Sequence, residues 1–156
     1  MSRIARAYEL DSERRRDLLQ EIHLALWRSF ANFEGRCSLV TWVFRVAHNT
    51  GISHVVRQLR SNLKNLVSLE EITESADPAD PADHSRSVEQ RIALDRILRL
   101  VHRLNPVDRQ LMLLYLEDLD GGSIAEITGF SPGNVRLQIH RIKALLARRF
   151  HEGGVS

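Results

Sequence analysis

Between residues 68 and 87 the chain reads "SLEEITESADPADPADHSRS", and no other stretch limits the fold as much. It sets Pro78 and Pro81 among short acidic residues, and no apolar period continues after Ile72. Proline fixes φ and offers no N–H, and a segment without an apolar period has no face to bury. Residues 67–86 therefore read as a flexible acidic linker. The 156 residues divide around it into two bodies, 1–66 and 87–150, so one shared core is excluded. At about 65 residues each, both cores are small and marginal alone, and docking on a large partner would help both.

Both bodies carry helical spacing, and no strand-like alternation lasts long enough to count. The start signals are side chains that accept from the free N–H groups of a first turn. Asp11 or Ser12 opens a helix to about Ala31, Ser38 one to about Arg60, and Ser87 one ending near Leu104. Asn105 followed by Pro106 caps and starts "VDRQLMLLYLEDL", which Gly121-Gly122 is expected to end. Two further helices are expected in "GGSIAEITGFSPGNVRLQIHRIK", residues 121 to 143. The expected fold is all-α, two small helical domains joined by the acidic linker.

Several function classes fall away on composition. No apolar run approaches the ~20 residues of a membrane span, and "MSRIARAYELDSERRR" lacks a signal-peptide core, so no membrane insertion and a cytoplasmic location are expected. The single cysteine, Cys37, cannot form an internal disulfide and reads as a small packing residue. His48 and His54, six apart, point about 120° from each other on a helix, which disfavours a metal site, and no cofactor is implied. Without paired carboxylates, a nucleophile elbow or a Gly-rich phosphate loop, an enzyme is not expected. The net charge of +2 hides an uneven distribution: residues 1–66 carry +5, the acids from Glu70 to Asp83 carry −6, and residues 84–156 carry +3. Two basic bodies suit a polyanionic partner.

Within residues 121–143, Ala125, Gly129 and Val135 fall where a helix-turn-helix needs a small crossing residue, a left-handed turn and an apolar anchor. At 100° per residue, Val135, Ile139, Ile142 and Leu146 share one stripe of the last helix. The other side is then fixed. It carries Arg136, Leu137, His140, Arg141 and Ala144, with Lys143 at its margin and Ser131, Pro132, Gly133 and Asn134 at its start. Such a surface enters the major groove, where Arg136 and Arg141 meet base edges or phosphates, and Leu137 touches a thymine methyl or is a plain surface leucine.

In the first body, Leu18, Leu19, Ile22, Ala25, Leu26 and Phe30 make a core stripe. Asp17, Gln20, Glu21, Leu24, Trp27 and Arg28 share the opposite side, whose mixture of tryptophan, leucine and hydrogen-bonding groups suits an interface. Along the next helix Leu39, Trp42, Val43, Val46 and Ala47 lie together, while Ile52, Val55 and Leu59 point nearly opposite. A bend or a new packing partner is expected near Asn49-Thr50-Gly51. Phe44, Arg45 and His48 are expected to face outward with Arg57 and Arg60, an alternation of aromatic and basic groups able to stack on unpaired bases and hold a backbone.

The order "DLLQEIHLALW", "FEGRCSLVTWVFRVAHNTGISHVVR", an acidic linker and "LNPVDRQLMLLYLEDLDGGSIAEITGFSPGNVRLQIHRIKALL" resembles the extracytoplasmic-function group of bacterial sigma factors over nearly the whole chain. The resemblance implies a sigma region 2-like domain at 1–66, a region 4-like domain at 87–150, and no catalysis. Its implied partners are RNA polymerase core, promoter DNA and an anti-sigma factor. By position, Asp17, Gln20 and Glu21 match residues that dock on the polymerase clamp helices, and Leu24 and Trp27 share their face. Phe33 and Asn49 match positions that cradle a base flipped from the -10 strand. Arg136 and Arg141 match basic positions that meet the -35 duplex. The chain departs from the family at Leu137-Gln138, where Ser-Arg is common, so no -35 preference carries over. An autonomous helix-turn-helix regulator with an N-terminal dimerisation or ligand domain is the competing reading.

Overall fold

The structure, a computed structural model, describes residues 1–64 and 87–152, and the expected linker at 67–86 lies outside the described residues. Those residues form helices and no strand: α1 (Ser2–Tyr8), α2 (Ser12–Phe30), α3 (Leu39–Lys64), α4 (Val88–His102), α5 (Pro106–Leu116), α6 (Gly121–Thr128) and α7 (Pro132–Glu152). They gather into two compact units. One holds Met1–Glu34 and the chain from Val46, the other Gly35–Arg45 and the chain from α4 onward, so α3 contributes to both.

The first unit is built from local caps and one distant clasp. The Asp11 carboxylate accepts from the Arg14 N–H at 2.9 Å and starts α2. From there Leu18, Ile22 and Leu26 repeat every four residues as its buried stripe, each side chain contributing about 1.5 to 3 kcal/mol of burial. Leu19 and Ala25 flank that stripe half-buried, but Phe30, expected in the core, is 48% exposed as the last residue of the helix. α1, which the apolar spacing had not revealed, packs on α2 and buries Ile4, Ala5 and Tyr8.

Tyr8 also reaches α3, where its Oη lies 2.8 Å from His48 Nδ1 and its ring edge meets the imidazole at 72°. Gly51 lies under the same ring. A Cβ there would come within 2.4 Å of Tyr8 Cδ2. One turn further on, Glu9 accepts from the Gln58 amide, and its carboxylate lies 3.1 Å from His54 Nε2. The buried side of this part of α3 is therefore Ala47, His48, Gly51, His54 and Val55, a single helical stripe. The expected apolar side with Ile52, Val55 and Leu59 gives way to it: Ile52 is half-buried and Leu59 exposed, because two histidines and a glycine take the places facing α1.

In the second unit α5 is the central helix. Leu111, Met112, Leu113 and Leu114 are all buried, and α4, α6 and α7 pack on it. Ser87 and Gln90 form a reciprocal cap at the start of α4, and Asn105 accepts from Asp108 N–H at 2.9 Å ahead of Pro106. The buried Arg109 guanidinium donates to the carbonyls of His102 and Leu104, closing the C-terminus of α4 with positive charge. At the far end Arg96 donates to the Phe150 carbonyl at 3.1 Å and lies 4.4 Å over its ring, tying α4 to α7.

The end of α5 corrects an expectation. Leu116 is its last residue, Asp118 turns the chain at φ 59°, and Gly121-Gly122 begin α6 rather than end α5. Asp120 decides this: its carboxylate accepts from both the backbone N–H and the hydroxyl of Ser123, at 3.0 and 2.8 Å. Glycine is tolerated beside such a cap, where first-turn N–H groups have no intrahelical partner anyway.

Candidate functional site

Three surfaces carry the residues singled out from the sequence. The first lies on α7, whose start follows from the motif in the way the spacing implied. Gly129 closes α6 at φ 79°, the Ser131 hydroxyl accepts from Asn134 N–H at 3.2 Å, and Pro132 occupies the first turn. Val135, Ile139 and Ile142 are buried with Ala125 beneath them, which turns Arg136, Leu137, His140, Arg141, Lys143 and Ala144 outward. Leu137 is 60% exposed between its basic neighbours. Ser131, Pro132 and Gly133 stand exposed at the helix start, with Asn134 half-buried.

The cations on this surface differ in their commitments. Arg136 makes no hydrogen bond or ion pair among the described residues, whereas Arg141 donates to Gln138 at 3.4 Å and Lys143 to the Tyr115 hydroxyl at 3.3 Å. Beside them a groove of about 370 Å³ opens between α5, α6 and α7. Tyr115 lines it, and the sequence alone had not drawn attention to that residue, because its closeness to Lys143 is a tertiary fact. The deprotonated form of Asp120 nearby is favoured by its bonds from Ser123, which hold its carboxyl below the usual range.

The second surface is the outward side of α2. Asp17 and Gln20 are exposed, Leu24 is 47% exposed and Trp27 79%, so a large indole stands in water with no packing role. Glu21 belongs to the same side but is already engaged by the Arg57 guanidinium of α3. Phe30 adds an exposed aromatic ring at the end of this helix.

The third set, along α3 and the segment before it, is not brought to one surface in the expected way. Asn49, Arg57 and Arg60 are exposed and Phe33 half-buried, all within the first unit. Phe44 and Arg45 are half-buried and count with the second unit, the Arg45 guanidinium lying 6.0 Å from the Trp42 ring. His48 does not face outward. It is 1% exposed, and burial drives its pKa from 6.5 to about 4, so the ring is neutral at physiological pH and serves the core. Glu9, next to it in the same clasp, is pushed up by burial, yet its bonds from Gln58, His54 and the Asp11 N–H outweigh this and hold it low. The missed signal was spacing: 47, 48, 51, 54 and 55 fit one helical face once histidine is allowed as a core residue.

No helix among the described residues is long and apolar enough to cross a membrane. The family model for sigma-70 region 2 matches residues 1–61, and that for sigma-70, region 4 matches residues 94–146. The RNA polymerase sigma factor YlaC of Bacillus subtilis is 26% identical over 136 residues, 87% of this chain and 77% of that protein. The RNA polymerase sigma-H factor of Pseudomonas aeruginosa is 34% identical over 50 residues, 32% of this chain and 26% of that protein. Among solved structures, the sigma factor RpoE of Bartonella quintana, crystallised with the anti-sigma factor NepR, has a TM-score of 0.70. The likeness covers 94% of this chain and 87% of that one at 18% identity, and so speaks to the fold.

Proposed function

The chain belongs to the sigma-70 family of RNA polymerase sigma factors, in its extracytoplasmic-function group, and from that premise we propose how its surfaces divide the work. As a sigma factor it recruits core polymerase to promoters and does no chemistry itself. The domain at 1–66 docks on core and takes the -10 element as an opened strand. The domain at 87–150 takes the -35 element as duplex, and residues 67–86 tether the two. The observation that supports this division is that the region 4 match lies within the second unit and the region 2 match lies in the first apart from residues 35–45, and that both regions turn outward faces of matching chemistry.

On this reading Asp17, Gln20, Glu21, Leu24 and Trp27 meet the polymerase, with the exposed indole as the desolvated anchor and the acids as its polar surround. Phe33, Phe44, Arg45, Asn49, Arg57 and Arg60 serve the opened strand, and the buried His48 drops out of that set. Ser131, Pro132, Gly133, Asn134, Arg136, Leu137, His140, Arg141 and Lys143 serve the duplex, Arg136 being the uncommitted cation nearest the helix start. The protein works in the cytoplasm, where polymerase is. Its fold relative is held by an anti-sigma factor, which supports a partner of that kind here. An autonomous regulator is not favoured, because the region 2 match occupies the residues that reading would need for dimerisation or ligand binding.

Purified core with this chain should initiate transcription from a subset of a promoter library, and neither component alone should do so. The Gln20→Ala/Trp27→Ala double variant should keep its helicity and lose core affinity. Unchanged core affinity would remove the docking assignment, and absence of any initiated transcript would remove the function.

A further inference from the structure

We propose that Tyr115 is a positioning residue for DNA binding, holding the Lys143 ammonium at the edge of the groove between α5, α6 and α7 so that it meets a phosphate of the duplex. The inference rests on the duplex-binding reading of α7 and adds to it a residue outside the helix-turn-helix. Lys143 Nζ lies 3.3 Å from Tyr115 Oη and 4.9 Å from the centre of its ring, so the cation is hydrogen-bonded at the hydroxyl end of the tyrosine. The two residues are 28 apart in sequence and both exposed, and the contact does nothing for the core.

The groove beside the pair has the chemistry of a backbone seat. Val135 and Ile139 form an apolar floor, Arg136 and His140 join Lys143 on its walls, and no carboxylate lines it. On the α6 side Gly121 and Gly122 carry no side chains; a Cβ added at Gly121 would meet nothing within 4 Å, whereas one at Gly122 would meet Asp120 Oδ1 at 3.0 Å. An apolar floor with a cationic rim matches a deoxyribose and its phosphate.

Lysine is a poor phosphate ligand when its stem wanders, because fixing it forfeits up to about 2 kcal/mol of rotamer freedom. Tyr115 removes much of that freedom before DNA arrives. An ammonium has three N–H donors and the tyrosine hydroxyl occupies one, which leaves two for phosphate oxygens.

The test is a double-mutant cycle on the full chain assembled with core polymerase, probed with a labelled duplex that the parent holoenzyme selects from a randomised pool. Lys143→Ala should weaken binding and lower the slope of log affinity against log salt by about 1. Tyr115→Ala should weaken it roughly 2- to 5-fold, the worth of a single hydrogen bond of this kind, and lower the slope as well. In the Lys143→Ala background, Tyr115→Ala should do nothing further. Tyr115→Phe, which keeps the ring and the fold, should fall between parent and Tyr115→Ala. An equal effect of Tyr115→Ala in both backgrounds, or an unchanged salt slope, overturns the proposal even where Arg136→Ala weakens binding. If Arg136→Ala, Arg141→Ala and Lys143→Ala all leave the duplex bound as in the parent, the reading of α7 falls and the proposal with it.

Discussion

Tyr8 and His48 close the first unit: the hydroxyl of one lies 2.8 Å from Nδ1 of the other, and the ring centroids are 5.6 Å apart, edge to face. The arrangement accommodates a neutral imidazole and penalises a charged one, since burial of the ring strips the charged form of its hydration.

Stability should therefore fall in mild acid. The folded state keeps His48 at about 4 against 6.5 when unfolded, so between those values the unfolded chain binds more protons. The stabilisation is complete above pH 6.5 and is lost as pH falls toward 4, amounting to about 2 kcal/mol at pH 5 and roughly 3 at the acid end. Glu9, held low, adds a loss in the same direction as pH drops below the ordinary carboxylate range. Urea unfolding of the parent at pH 7 and pH 5 should show this difference. His48→Gln should be less stable at pH 7 and much less dependent on pH across the same interval.

Gly51→Ala should destabilise the protein by about 1 to 3 kcal/mol, although alanine is the better helix former by about 1 kcal/mol. The new methyl would stand 2.4 Å from the Tyr8 ring, which is itself buried and anchored to His48. The same substitution made on a Tyr8→Ala background should change sign and stabilise. Equilibrium unfolding of the four proteins checks both expectations.

Gly129→Ala tests a different constraint. A Cβ there meets nothing within 4 Å, so the penalty comes from φ 79° alone, about 1 kcal/mol after the reduced freedom of the unfolded alanine is counted. Gly129→Asn should recover part of it, because asparagine tolerates the left-handed region. A loss much above this in thermal unfolding would show that the turn is held by more than backbone geometry.

Arg136 and Arg141 should respond differently. Arg136 stands nearer the start of α7, where a recognition helix meets base edges, so Arg136→Ala should cost about 1 to 3 kcal/mol and alter sequence preference. Arg141 lies more than a turn further along and leans on Gln138. Arg141→Ala should weaken all duplexes alike and lower the salt slope by about 1. Binding measured on a panel of duplexes at several salt concentrations separates the two.

What could be read from sequence depended on how local the determining interaction is. Asp11, Ser38, Ser87 and Asn105 were legible as helix starts because each cap is a side chain meeting an N–H three residues on. The outward face of α7 followed from Val135, Ile139 and Ile142, since burying one stripe of a helix fixes the opposite one. Gly121-Gly122 misled because glycine signals both an end and a tolerated first turn, and only the Asp120 carboxylate distinguishes them. α1 was missed because seven residues hold too few repeats to show a period. His48, Phe30 and Leu59 were misplaced by equating apolar with buried: Tyr8 supplies a partner that makes a histidine a core residue, and nothing in the local pattern announces Tyr8.

The clasp on α1 also sets an order of events on the ribosome. Tyr8 finds His48 across 40 residues, His54 meets Glu9 across 45, and Gln58 meets it across 49. α1 is synthesised first, but a seven-residue helix does not persist alone in water. It can lean on α2 at once, but its bonds to His48, His54 and Gln58 must wait until the last turns of α3 have left the exit tunnel, and they close loops of 40 to 49 residues. Until then α1 has only α2 to hold it, and a growing chain shows its surroundings the apolar groups of α1 and α2 that α3 will cover.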